Sequence, residues 1–129
     1  MEMCPKGADI VCTHPMFGPE SGKLSWQNLP FVYEIVRASN EKRANDFIDI
    51  WKSEGCKMVL MSCEQHDAFA ASTQFVTHLT GRILGNLNVQ STPINTKGYE
   101  QLLGVVDTTC KDSFDLFYGL YKYNPNSLK

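Results

Sequence analysis

The hydrophobic pattern changes period at Ser62, and that change limits what the chain can build. Before it, apolar residues come in short β-prone runs: Ala8-Asp9-Ile10-Val11-Cys12, Pro30-Phe31-Val32-Tyr33-Glu34-Ile35-Val36 and Lys57-Met58-Val59-Leu60-Met61. After it, they recur every three or four residues over long stretches. The first pattern reads as strands and the second as amphipathic helices. The first strand is expected to stop at Thr13-His14-Pro15, where the proline lacks a donor and biases His14 toward extended backbone. A Gly/Pro-rich loop, residues 16–23, follows. Asn40 is a suitable N-cap for a helix over 41–54, with Ala44, Phe47, Ile48, Ile50 and Trp51 largely on one side and Gly55 as its stop. Residues 1–62 thus read as an α/β layer and 63–129 as a helical region, and the fold class as α/β.

Ser62-Cys63-Glu64-Gln65 fits a capping box, which opens a helix expected to run to about Leu87. Phe69, Thr73, Val76, Thr80, Ile83 and Leu87 form a stripe on it that is expected to face the core. Ser91-Thr92-Pro93 breaks the pattern. Two further amphipathic stretches follow, over 96–109 and 113–123, the second carrying Phe114, Phe117, Tyr118 and Tyr121.

Composition excludes several classes. A formal charge of −2 leaves no basic footprint for nucleic acid, and 43% hydrophobic residues suit a packed protein rather than a disordered one. No apolar run approaches the roughly 18 residues that a membrane helix needs. The first residues lack both an apolar signal core and an Arg/Ser-rich transit pattern. The five cysteines (Cys4, Cys12, Cys56, Cys63, Cys110) are odd in number, widely spaced and without a C-x-x-C pair, so they read as reduced thiols. Cys12 and His14 complete no tetrahedral metal set. No G-x-G-x-x-G or P-loop pattern occurs, so the chain brings no phosphate-binding fingerprint.

Three places could carry chemistry. On the long helix, at 100° per residue, Asp67, Gln74 and His78 lie within about 60° of one another, alongside Ala70, Ala71 and Gly81. Polar groups framed by small residues leave room for a ligand, although alanines also suit a wet helix surface. His14, at the end of a strand, could move a proton near neutral pH, or be an ordinary loop histidine. Asp112 could cap the last helix or present its carboxylate to a cationic ligand.

Longer stretches carry a resemblance: Thr13-His14-Pro15-Met16-Phe17-Gly18-Pro19, Leu29-Pro30-Phe31-Val32-Tyr33, Glu54-Gly55-Cys56-Lys57-Met58-Val59, Met61-Ser62-Cys63-Glu64-Gln65-His66-Asp67, Gln74-Phe75-Val76-Thr77-His78, Ser91-Thr92-Pro93-Ile94-Asn95-Thr96-Lys97-Gly98-Tyr99-Glu100 and Asp112-Ser113-Phe114-Asp115-Leu116. In this order they resemble the arogenate/prephenate dehydrogenase family, and its plant arogenate members most closely. The resemblance implies NADP-dependent oxidative decarboxylation of arogenate to tyrosine, in a chloroplast, with the cytosol as the alternative. It implies that residues 1–62 are the C-terminal remnant of a Rossmann-type dinucleotide-binding sheet. Residues 63–129 would be a helical region for substrate binding and homodimerisation.

The family match makes His14 the catalytic acceptor at the ring hydroxyl and His78, with Gln74 one turn before it, a substrate-holding group. It makes Asp112 the selector of arogenate, whose side chain carries an ammonium group where prephenate ends in a keto acid. The family's glycine-rich cofactor loop and its catalytic serine, which precede the histidine strand, have no counterpart here. An arginine found in bacterial relatives shortly before the acidic position is replaced by Asp107-Thr108-Thr109. The chain accordingly reads as the substrate-side portion of such an enzyme. Two alternatives stand beside it: a non-catalytic paralogue that dimerises with full-length relatives, and a prephenate-preferring dehydrogenase.

Overall fold

In the computed structural model, which describes residues 4–18 and 22–127, the chain divides into two compact units, Met1–His66 and Asp67–Lys129. Pro19 and its two followers, part of the expected loop, lie outside the described residues.

The first unit is built on a three-stranded sheet of order β1-β2-β3, with β1 at Ile10–Pro15, β2 at Pro30–Arg37 and β3 at Lys57–Leu60. β1 runs antiparallel to β2, and β2 parallel to β3. Helix α1, Glu41–Ser53, connects the parallel pair, as parallel strands require a crossover. Asn40 caps α1 by accepting from the Arg43 N–H, and Gly55, at φ 84°, takes the left-handed conformation that ends it.

The sheet's core is Phe31, fully buried, with the Trp51 ring stacked 4.4 Å away and Trp26 5.3 Å beyond that. On α1 the buried side chains are Ala44 and Ile48; Phe47 and Ile50 face outward, so the inward stripe is narrower than the sequence suggests. The first strand runs to Pro15, three residues past Cys12, where the expected run ends. His14 pairs with Val32 and Pro15 with Phe31, because β1 lies at the sheet edge, where a proline is tolerated.

Helix α2, Cys63–Ala70, opens with the expected box: Ser62 Oγ accepts from the Gln65 N–H and Gln65 Oε1 accepts from the Ser62 N–H, both at 3.2 Å. The expected uninterrupted helix to Leu87 is not what forms. Residues Ala71–Phe75 wind as a π-helix before α3 resumes at Val76–Asn86. Hydroxyls explain the wider turn: Ser72 and Thr73 both donate to the Phe69 carbonyl, at 3.1 and 2.7 Å, competing with the backbone ladder.

Two helices complete the second unit. α4, Lys97–Thr109, is capped by Thr96, and α5, Phe114–Tyr123, by Ser113. α3 and α4 pack closely: a Cβ built on Gly81 would lie 1.9 Å from Thr109 Oγ1. The buried residues of this unit are Ala70, Ala71, Phe75, His78, Gly81 and Thr109. The stripe expected to face the core points the other way, with Phe69 60%, Ile83 52% and Leu87 68% exposed. The face with small residues is the one that packs.

Candidate active site

Each unit holds one cluster of chemically capable side chains. In the first unit, His14 is the penultimate residue of β1, and its Nδ1 lies 2.7 Å from Nε2 of His66, on the first turn of α2. The rings meet edge-on, with centroids 4.9 Å apart and planes at 62°. Alternation along β1 puts Cys12 and His14 on one face, opposite Glu34 and Val32 of β2. Glu34 accepts from the Cys63 backbone N–H at 2.7 Å, which ties the start of α2 to the sheet. The Cys63 thiol, and after it that bond, hold the Glu34 carboxyl below its ordinary range. The same carboxylate, together with burial and the neighbouring Cys12 thiol, pushes the Cys63 thiol up to about 12, so it is no nucleophile at neutral pH.

In the second unit, residues 74, 78 and 82 fall every four residues along one side of the helical run. His78 is 8% exposed, its Nε2 lies 3.8 Å from Asp112 Oδ2, and its Nδ1 is buried without a partner. Gln74 Oε1 and Arg82 Nε are also buried and unpartnered. Buried polar atoms are almost always paired, so three such atoms in one column mark a place prepared for something polar. Gln74 sits in the π-helical turn, a feature that recurs at functional positions.

The Arg82 guanidinium donates through Nη2 to the carbonyls of Asp112 and Ser113, at 2.7 and 2.9 Å, and lies 5.6 Å from the rings of Phe114 and Phe117. It thereby fixes the turn that carries Asp112. Asp112 itself is not a helix cap, since Ser113 accepts from the Leu116 N–H and leaves the Asp112 side chain facing His78.

Gln74, His78 and Asp112, separated by up to 38 residues in sequence, are thus neighbours in one unit. His14 belongs to the other unit, and its partner there is His66. Sequence reasoning gave neither His66 nor Arg82 a role. Arg82 continues the four-residue spacing of Gln74 and His78, a signal that was present; nothing in the spacing connects His66 to a strand 52 residues earlier.

Comparison with known proteins places this geometry in context. A family model described as "TYRAAT1-like, C-terminal domain" matches residues 83–129. Arogenate dehydrogenase 2, chloroplastic, of Arabidopsis thaliana is 61% identical over 97% of this chain and 36% of its own length. Arogenate dehydrogenase 1, chloroplastic, of the same plant is 54% identical over 100% of this chain and 21% of its own. The chain is homologous to the arogenate dehydrogenases. A probable prephenate dehydrogenase of Schizosaccharomyces pombe, named for NADP(+), is 34% identical over 63% of this chain and 18% of its own. The chain therefore spans about a third or less of the length of these arogenate/prephenate dehydrogenases.

The described residues do not fit a dinucleotide. A pyrophosphate seeks a glycine-lined helix N-terminus with free N–H groups. In the first unit both helix starts are occupied by the chain's own acceptors: Asn40 at α1, and Ser62 and the Glu34 carboxylate at α2. Among the described residues no cluster of three or more His, Cys, Asp or Glu could hold a metal ion. No helix among them is long and apolar enough to cross a membrane.

Proposed function

We propose that this chain supplies the substrate-side residues of an NADP-dependent arogenate dehydrogenase of tyrosine biosynthesis, acting in the chloroplast as its Arabidopsis relatives' names indicate. On this reading residues 1–62 correspond to the end of a Rossmann-type nucleotide-binding sheet and 63–129 to a helical substrate and dimerisation region. The parallel β2–α1–β3 crossover is compatible with the first assignment. None of the described residues is assigned to the nucleotide.

The observation that carries the proposal is the approach of His78 to Asp112 beside the unpartnered atoms of Gln74 and His78. Arogenate differs from prephenate by an ammonium group in place of a keto oxygen. A carboxylate stabilises the ammonium by a charge-assisted hydrogen bond, and the Gln74 carbonyl oxygen is a second acceptor for it. Prephenate's keto acid offers that carboxylate no donor, so its burial against Asp112 is penalised. His78 can donate to a substrate oxygen through Nδ1, or through Nε2. In the overall reaction the ring hydroxyl becomes a carbonyl before the ring aromatises, so its proton must leave. His14 is the group proposed to accept it.

Asp112→Asn tests the selector. Calorimetric titration of the chain with each ligand is expected to show the ratio of arogenate to prephenate affinity falling about tenfold or more, in line with loss of a charge-assisted bond (about 1.5–3 kcal/mol). An unchanged ratio would remove Asp112 from the assignment.

One observation favours a second reading, the dimerising paralogue: the outward apolar stripe of the second unit. It is compatible with homodimerisation of an active enzyme as well.

A further inference from the structure

Asp112 lies in the turn between the end of α4 and the Ser113 cap of α5. Its side chain is 43% exposed, and the one ionic partner of its carboxylate among the described residues is His78, at 3.8 Å, beyond hydrogen-bond length. Packing does not confine that charge. Its position is set by the backbone of the turn.

What fixes this backbone comes from α3. Arg82 Nη2 donates to two consecutive carbonyls, those of Asp112 at 2.7 Å and Ser113 at 2.9 Å. Its Cζ lies 5.6 Å from the ring centres of both Phe114 and Phe117, so cation–π attraction holds the guanidinium at the start of α5. Phe117 in turn stacks 5.9 Å from Phe75, the neighbour of Gln74. Arg82 stands one helical turn after His78. A single side chain thus ties the turn that bears the carboxylate to the helix that bears its imidazole partner.

We propose that Arg82 is a positioning residue for substrate choice, which holds the 112–113 backbone so that the Asp112 carboxylate stays beside His78 and meets a ligand's ammonium group there. The inference rests on the reading of Asp112 as the selector. Bonds from a charged donor to two adjacent carbonyls restrain the turn on both sides of the 112–113 peptide. Without them the carboxylate samples positions away from His78. An ammonium ligand then loses part of its attraction, and a keto-acid ligand loses part of its penalty. Both changes lower the ratio of the two affinities.

Calorimetric titration of the chain with arogenate and with prephenate reads that ratio. Arg82→Met keeps a long apolar stem but neither donor nor charge. It is expected to lower the ratio at least about threefold, and to add nothing to the larger fall caused by Asp112→Asn when both changes are combined. Arg82→Lys, whose ammonium can bond the same carbonyls without a flat face for the rings, is expected to lie between parent and methionine. Equal weakening of both ligands by Arg82→Met would make Arg82 a holder of a group common to them and overturn the proposal, as would falls that multiply in the double variant. A further reading needs no variant: in ¹⁵N NMR of the unsubstituted chain the Arg82 Nη2 protons are expected to be resolved and slow to exchange. Freely averaging guanidinium signals would show that the turn is not held. If Asp112→Asn leaves the ratio unchanged, the proposed function falls, and the guanidinium signals still decide whether Arg82 holds the turn.

Discussion

At the scale of single residues, close approach decides more than charge. Gly81 lets α3 lie against α4 so tightly that an added Cβ would meet Thr109 Oγ1 at 1.9 Å and the Val105 carbonyl oxygen at 3.2 Å. Thr109 cannot swing away freely, because its hydroxyl donates to that same carbonyl at 2.7 Å. Gly81→Ala gains about 1 kcal/mol of helix propensity but forces overpacking that costs about 1–3 kcal/mol. A lower urea midpoint is expected, and Thr109→Ala in the same chain is expected to recover part of the loss. If the alanine variant alone were as stable as the parent, the close contact would not constrain the helices. The same contact governs the site, since Gly81 lies between His78 and Arg82 in sequence. Parts of that site were legible beforehand: Gln74 and His78 share a helix side by spacing alone, and Asp112 was one of two readings of an acid before a helix. Arg82 shares that side by the same spacing, but its partners, backbone carbonyls 30 and 31 residues on, were not legible, nor was His66, whose partner is a ring on a distant strand.

At the scale of elements, signals that act locally survived folding. Asn40, Gly55, the Ser62–Gln65 box, Thr96 and Ser113 all do what their residue types dictate, because a cap depends on neighbours a few positions away. What failed was the choice of buried face on the long helix. A stripe of Phe, Val, Ile and Leu looks like core, yet α3 buries His78 and Gly81 instead, and the missing side chain of Gly81 allows a short distance to α4. The π-helical turn added to the error by shifting the phase that a straight helix would keep. The anchoring of α2 to the sheet yields a pH-dependent prediction. Glu34 titrates below its ordinary value of 4.5 in the folded chain, so the folded state binds fewer protons than the unfolded one as pH falls. Its stabilising contribution is therefore complete above the ordinary carboxylate range and disappears as pH drops through the lower folded value. Glu34→Gln is expected to lower the urea midpoint at pH 7, with the gap to the parent closing toward pH 3. Parallel pH curves for the two proteins would show that the carboxylate charge contributes nothing to holding α2.

At the scale of the whole molecule, the second unit presents more apolar surface than its own packing uses. Val76 and Ile83 on α3, Leu87 at its C-cap and Phe69 on α2 are all exposed, while the largest side chain buried in the unit is Phe75, stacked 5.9 Å from Phe117. Isolated exposed apolar residues are ordinary, but a continuous stripe along three helical turns is the kind of surface that monomers rarely leave in water. Rows of three- and four-residue spacing on one helix fit the grooves of another helix of the same kind, and two-fold pairing lets one stripe serve both partners. If a second copy covers the stripe, the chain sediments as a dimer at tens of micromolar and dissociates on dilution. Ile83→Glu, which places a charge in the middle of that surface without touching the His78–Asp112 side, is then expected to weaken association at least tenfold, since a buried unpaired charge costs several kcal/mol. Helix content by circular dichroism should remain unchanged in the variant, because residue 83 is already half in solvent. A monomer at every concentration, or a dimer indifferent to the glutamate, would mean that the stripe does not join two copies. Homodimerisation through it would then be wrong for the active enzyme and for the non-catalytic paralogue alike.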